Sequence, residues 1–227
     1  MPFAIGPKIH NIIPKDLKTL IEDFFSVTDW KGLYLTGGTC LAEYYFGHRL
    51  SEDADLFTHD ENLFQEAQKA LKDPKTFPRG TISQLRTTSY IVQFHYHSHE
   101  TGTSTKVEVV LDTPQHITPP LLVGHVWIDS LEDILSNKIT CLVSRNAVKD
   151  YLDLYHLIPA SHLTAKELVV LGQIKDGGVD PLILGRQIEC IFQAPQPPPD
   201  LLIRTDWEDL KLFFKKFQKE CFELIRP

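Results

Sequence analysis

Two aspartates one residue apart, Asp53 and Asp55 in Ser-Glu-Asp-Ala-Asp-Leu-Phe, are the first residues whose types and spacing suggest chemistry. In an extended strand the side chains of residues i and i+2 point to one face. Both carboxylates can then grip one or two divalent cations. Magnesium favours a few carboxylates, with water and substrate phosphates completing its shell. Taken alone, the pair also reads as a solvated acidic strand end. Upstream, Thr36-Gly37-Gly38-Thr39 follows a short apolar run, Leu33-Tyr34-Leu35. This is a strand-to-helix junction, where glycines let backbone approach a ligand and the free N–H groups of a helix start favour phosphate. A plain tight turn has the same sequence.

A third acid stands in Lys-Val-Glu-Val-Val-Leu-Asp, where Glu108 faces away from Val107, Val109 and Leu111. On a neighbouring strand it would complete a three-acid metal site. Asp112 shares its face, so the sequence leaves both open, and a surface acid beside Lys106 is the ordinary alternative. Further on, Lys138 sits in the helical pattern LEDILSNKITCLVSR, with Arg145 seven residues later on nearly the same face. A lysine there can neutralise a triphosphate as a point charge. Lys149-Asp150 and Asp153 follow near the start of the next helix, and the two acids share one side of it. Acids in a first turn are also favoured simply by the helix dipole.

These residues need elements to position them. Pro14 opens a helix whose apolar residues Leu17, Leu20, Ile21, Phe24 and Phe25 recur at helical spacing. A strand over 33–35 leads through the glycines to a helix over 39–46, with Gly47 as its C-cap. Residues 53–57 read as a strand and 61–71 as a helix. Between 80 and 112 the pattern turns to β, with Tyr90, Val92, Phe94 and Tyr96 alternating with polar residues. Pro114, Pro119 and Pro120 mark a boundary. Beyond it Ser130 with Asp133, Thr164 with Glu167, and Thr205 with Glu208 fit capping boxes, so the second half reads as all-helical. The expectation is an α+β chain: a mixed α/β core over 1–120 carrying a small mixed sheet, then a helical region over 121–227. A stiff proline-rich linker is expected at 195–200.

Composition narrows the class. Hydrophobic residues make up 42% of 227 and charged residues 23%, enough for a real core. A formal net charge of -7 excludes a protein that coats nucleic acid non-specifically, though a local basic channel remains compatible with it. Cys40, Cys141, Cys190 and Cys221 form no CxxC pair, and each lies in an apolar helical pattern. They read as reduced thiols of a cytoplasmic protein. The first residues lack the basic and apolar regions of a signal peptide, and no apolar run is long enough to span a bilayer, so no membrane partner is expected.

The ordered set resembles a known family, the AbiEii-type nucleotidyltransferases, the toxin half of type IV toxin–antitoxin pairs within the DNA polymerase β-like superfamily. LTGGTCLAEYYFGHRLSEDADLF is similar to that family's first two motifs: a GGT turn, Arg-x-Ser (Arg49 and Ser51), then Asp-x-Asp. SNKITCLVSRNAVKDYLDLYHL is similar to the third and fourth, with a helix lysine, an arginine, Lys-Asp and a further Asp. The match runs over residues 30–158. The resemblance implies a nucleotidyltransferase-like fold. It implies that Gly37, Gly38 and Thr39 hold nucleotide phosphates, that Asp53 and Asp55 bind Mg²⁺ as two ions, with Glu108 as third acid, and that Lys138 contacts the triphosphate. Asp150 would be the fourth-motif acid, positioning the acceptor. Arg49 and Ser51 receive no role. The partners implied are an NTP, an RNA or tRNA acceptor and a protein antitoxin.

Two other signals are set aside. His95, His97 and His99 form an H-x-H-x-H run that invites a zinc reading, but no further ligand has zinc-site spacing beside them. Lys211, Lys215 and Lys219 line one side of the last helix, opposite Trp207, Leu210, Phe214, Phe217 and Cys221. That is the pattern of a solvated amphipathic helix. The competing functions are an NTP- or partner-binding protein of the same fold with weak catalysis, and a nucleotidyltransferase acting on a small molecule.

Overall fold

A computed structural model describes residues 3–113, 116–194, 201–203 and 205–225, with backbone only for residues 84 and 85. Pro114 and the proline-rich segment 195–200 lie outside the described residues. The chain forms two compact units, Pro7–Ser130 and Leu131–Pro227 with Met1–Gly6. The first therefore continues past the boundary read at 120/121, because two short strands there still belong to its sheet.

Among the described residues the first unit carries a seven-stranded sheet. Its strands are β1 (Leu33–Thr36), β2 (Ala54–Thr58), β3 (Gly80–Thr87), β4 (Ile91–Ser98), β5 (Ser104–Leu111), β6 (Leu121–Val123) and β7 (Val126–Ile128). They lie in the order β3-β4-β5-β2-β1-β7-β6. β2 runs antiparallel to β1 and parallel to β5. Alternation decides the faces. Ala54, Leu56, Val92, Phe94, Tyr96, Val107 and Val109 are buried, while Asp55, Gln93, Lys106 and Glu108 on the other face remain partly accessible.

Helix α1 (Lys15–Ser26) buries Leu17, Leu20, Ile21, Phe24 and Phe25, the stripe its spacing predicts. Trp30 stacks on Phe24 at 4.8 Å and donates its indole N–H to the Phe24 carbonyl at 2.9 Å. Helix α3 (Glu61–Lys72) starts at Asp60, whose side chain accepts the N–H groups of Asn62 and Leu63. The segment before α1 is held by Glu43, a buried carboxylate that accepts the backbone N–H groups of Asn11 (2.9 Å), Ile12 (2.9 Å) and Ile13 (3.2 Å).

Three local expectations are corrected. The helix after β1 begins at Gly37, as α2 (Gly37–Leu41), and widens into a π-helical stretch, Ala42–Phe46. It does end at Gly47, whose φ of 61° permits the left-handed cap. Residues 121–128 form the β6–β7 hairpin rather than a helix. Three-residue strands are too short to show an alternation, and β7 is recruited by parallel pairing with β1 at Leu35 and Ile128. Cys190 is exposed, unlike Cys40 and Cys221, which are buried; all four thiols are free.

The second unit is helical: α4 (Leu131–Ser144), α5 (Val148–Ser161), α6 (Ala165–Lys175), α7 (Pro181–Gln187), α8 (Glu189–Gln193) and α9 (Trp207–Glu223). Thr164 and Glu167 form the reciprocal capping box at α6. At α9 the cap is Asp206 rather than Thr205; its carboxylate accepts from the N–H groups of Glu208 and Asp209, outcompeting a hydroxyl one residue earlier. Leu210, Phe214, Phe217 and Cys221 are buried along α9, while Trp207 is only partly so. Among the described residues no helix is long and apolar enough to cross a membrane.

Candidate active site

The acids of the first unit are brought together by strand register. Asp55 on β2 lies directly opposite Glu108 on the parallel neighbour β5. Ala54 pairs with Val107, so Lys106 lies on the site face beside Asp53, just before β2. The Lys106 ammonium is 3.0 Å from Glu108 Oε1 and 3.8 Å from Asp53 Oδ2. Gln93 on β4, opposite Glu108 in register, donates its amide N–H to the same Oε1 at 2.6 Å. Asp53 keeps 41% of its side chain exposed and Glu108 20%, so both carboxylates are reachable from solvent.

Asp112, left open by the sequence, is at the wrong end of the strand. It follows Leu111, which pairs with Thr58, and donates its N–H to the Thr58 carbonyl at 2.8 Å. Four residues of strand put it roughly 13 Å from Glu108 along β5. Glu108 is the acid that faces Asp55.

Lys106 sits in competing influences. Partial burial would lower its pKa, but the hydrogen bond and charge of Glu108, with Asp53 and Asp55, outweigh that and hold it above the usual lysine value. The ammonium is thus the cluster's own counter-charge.

The glycine turn serves this cluster. Gly37 has φ +70°, and a Cβ there would overlap Asp55 Oδ2. A Cβ on Gly38 would overlap the Arg49 guanidinium, with Ser51 Oγ 3.3 Å away. The close approach these glycines permit is therefore to Asp55 and Arg49. Thr39 donates its hydroxyl to the Asp53 carbonyl at 2.5 Å and lies 2.8 Å from Ser51 Oγ. Ser51, given no role from sequence, ties the turn to the approach of β2 through Thr39, and Arg49, likewise unassigned, lies over Gly38. The far side of the turn is fixed by Asp129, which accepts the Thr36 hydroxyl at 2.5 Å and donates its N–H to the Leu35 carbonyl at 2.9 Å.

Lys138, Arg145, Asp150 and Asp153 come together within the helical unit. Lys138 on α4 is buried, its ammonium 3.0 Å from Asp150 Oδ1 and 2.5 Å from Asp153 Oδ2, both carboxylates fully buried at the start of α5. Arg145, with half its side chain exposed, forks onto Asp150 through Nε at 2.9 Å and Nη2 at 2.7 Å. Burial pushes the Asp150 carboxyl up, but Arg145 and Lys138 outweigh it and hold it below the usual aspartate value. A second buried pair, Lys175 with Asp133 at 2.7 Å, lies between α6 and α4.

Sequence reasoning assigned no role to Lys106, Gln93 or the Arg145–Asp150 fork. Period-2 alternation could have placed Lys106 on the face of Glu108; only register reveals Gln93. The other motifs have ordinary places. β4 ends at Ser98, so His99 leaves the strand and only His95 and His97 share its face. Among the described residues they join no group of three metal-ligating atoms. Lys211 and Lys219 pair with Glu208 and Glu223 along α9, as on a solvated helix face.

Comparison with known proteins agrees with this architecture. The family described as "Nucleotidyl transferase AbiEii toxin, Type IV TA system" matches residues 20–224. An uncharacterized Aquifex aeolicus protein is 25% identical over 215 residues, spanning 93% of this chain and 98% of that one. The fold is similar to JHP933 from Helicobacter pylori (TM-score 0.58, 18% identity, covering 92% of this chain and 90% of that one). It is equally similar to MenT4, a nucleotidyltransferase toxin from Mycobacterium tuberculosis (TM-score 0.58, 17% identity, 91% and 83%).

Proposed function

The chain belongs to the AbiEii family of nucleotidyltransferase toxins of type IV toxin–antitoxin systems and is a nucleotidyltransferase, and from that premise we propose that it uses Mg²⁺ to move a nucleotide from an NTP to an acceptor hydroxyl, acting in the cytoplasm. One observation carries the metal assignment: Asp55 faces Glu108 across parallel strands, with Asp53 beside them. Three carboxylates on one sheet face are the hard oxygen donors that Mg²⁺ takes, so the residues fit the ion. When bound, it would favour loss of the acceptor's proton and stabilise charge on the departing pyrophosphate.

The chain's own part is positioning, which does most of the work in phosphoryl chemistry. Asp53, Asp55 and Glu108 hold the cation. Gln93 and Lys106 fix Glu108, and the backbone of Gly37, Gly38 and Thr39 receives phosphate. The acceptor oxygen bonds the α-phosphorus as the α–β bridging bond breaks and pyrophosphate leaves. Lys138 and Asp150, expected at the triphosphate and the acceptor, are buried against each other within the helical unit, where their ion pair joins α4 to α5. RNA, including tRNA, is the acceptor class we favour, with a protein antitoxin as partner, on the strength of family membership.

The burial of Lys138 against Asp150 and Asp153 favours a second reading, a weakly catalytic protein that binds an NTP or a partner. One experiment separates them. The protein is incubated with Mg²⁺, labelled NTPs and total RNA, beside an Asp53→Ala/Asp55→Ala variant. RNA label lost in the variant supports transfer to RNA. NTP binding without label on RNA favours the binding reading or a small-molecule acceptor, and absence of both overturns the site.

A further inference from the structure

Three carboxylates and one ammonium occupy four neighbouring positions on two parallel strands. Asp53 and Asp55 come from the β2 side, Lys106 and Glu108 from β5. Because residue 106 stands beside residue 53, and 108 beside 55, the lysine is part of the cluster. Its side chain is only 37% exposed and rests against Glu108 and Asp53 rather than extending into solvent.

We propose that Lys106 takes the place of a second cation, so that the protein without nucleotide holds one divalent ion, on Asp53, Asp55 and the remaining Glu108 oxygen, rather than two. This rests on the reading of Asp53, Asp55 and Glu108 as the cation site. Two observations carry it. The first is space: a second ion, bridging Asp53 Oδ2 and Glu108 Oε1, would need the place the ammonium fills, 3.8 Å and 3.0 Å from those oxygens. It would also stand beside a positive charge that Coulomb repulsion opposes. The second is donor capacity. Glu108 Oε1 already receives both Lys106 and Gln93, at 3.0 Å and 2.6 Å, which leaves Glu108 one oxygen for any ion. Charge count agrees: three carboxylates less one ammonium leave two negative charges, which a single divalent cation neutralises.

The test counts ions. Mn²⁺ is titrated into the nucleotide-free full chain and free Mn²⁺ is read by electron paramagnetic resonance, with calorimetry repeating the count for Mg²⁺. The expected result is one ion per chain for the wild type, two for Lys106→Met, and one again for Lys106→Arg. Two ions on the wild type would overturn the proposal without any variant, so a misfolded Lys106→Met cannot shelter it. One ion on a folded Lys106→Met would overturn it as well. Asp53→Asn/Asp55→Asn serves as the control that should bind none. No ion on the wild type would overturn the cation-site reading itself, an outcome distinct from the wrong count.

Discussion

Asp55 Oδ2 occupies the space in which residue 37 would carry a Cβ, so Gly37 and Asp55 form a matched pair across the β1–β2 ladder. The glycine is required twice, by its φ of +70° and by the carboxylate packed over it.

Gly37→Ala should therefore do more than strain a turn. A left-handed conformation costs a non-glycine residue about 1–2 kcal/mol, and relieving the overlap moves Asp55. Urea unfolding should show a loss of that size or larger, and labelled nucleotide transfer should fall at least tenfold. Transfer at the wild-type rate would mean that Asp55 is not needed where it stands.

Buried and accessible acids should separate by what they damage. Asp150→Asn takes a full charge from Lys138 and Arg145 in a buried cluster, and breaking such a pair costs about 3–5 kcal/mol. Asp53→Asn touches a 41% exposed carboxylate loosely paired with Lys106 at 3.8 Å, and should leave stability within about 0.5 kcal/mol while abolishing transfer. Denaturation of both variants checks the contrast; equal losses would refute it.

Glu43 should prove a structural acid. Glu43→Ala strands the N–H groups of Asn11, Ile12 and Ile13, and an orphaned buried donor costs about 1–3 kcal/mol. Hydrogen exchange at those three amides should accelerate by orders of magnitude. Unchanged protection would show that the segment is held by other contacts.

Acid should expose Asp16. The hydroxyls of Thr101, Thr103 and Ser98 all donate to this carboxylate of α1, with Thr101 the strongest influence, and together they hold its pKa below the usual aspartate value. A depressed folded pKa gives stability that is present above the unfolded value, about 3.9, and lost as pH falls through the folded one. Melting temperatures of wild type and Asp16→Asn should differ by a constant amount above about pH 5 and converge below about pH 4. A gap that persists at low pH would contradict the assignment.

Much of the candidate site's geometry was legible because period-2 alternation is local: the shared face of Asp53 and Asp55, and the face of Glu108, can be read from neighbours in sequence. Which of Glu108 and Asp112 stands opposite Asp55 was not, since it depends on a parallel register between strands some fifty residues apart. The burial of Lys138 was hidden for a related reason. A lysine in a helix looks solvated until another helix places two aspartates over it. The β6–β7 hairpin owes its existence to pairing with β1, a tertiary contact that no three-residue pattern announces. Gly37 and Gly38 were visible as glycines, but their reason, the two side chains lying over them, belongs to the folded molecule.

In the order β3-β4-β5-β2-β1-β7-β6, β2 is the middle strand, with three neighbours on either side. Its Asp55 is thus anchored at the point of the ladder that fraying reaches last, while β3 and β6, at the margins, open first. Insertions or deletions at those margins can therefore be absorbed without displacing Asp55 from its place opposite Glu108.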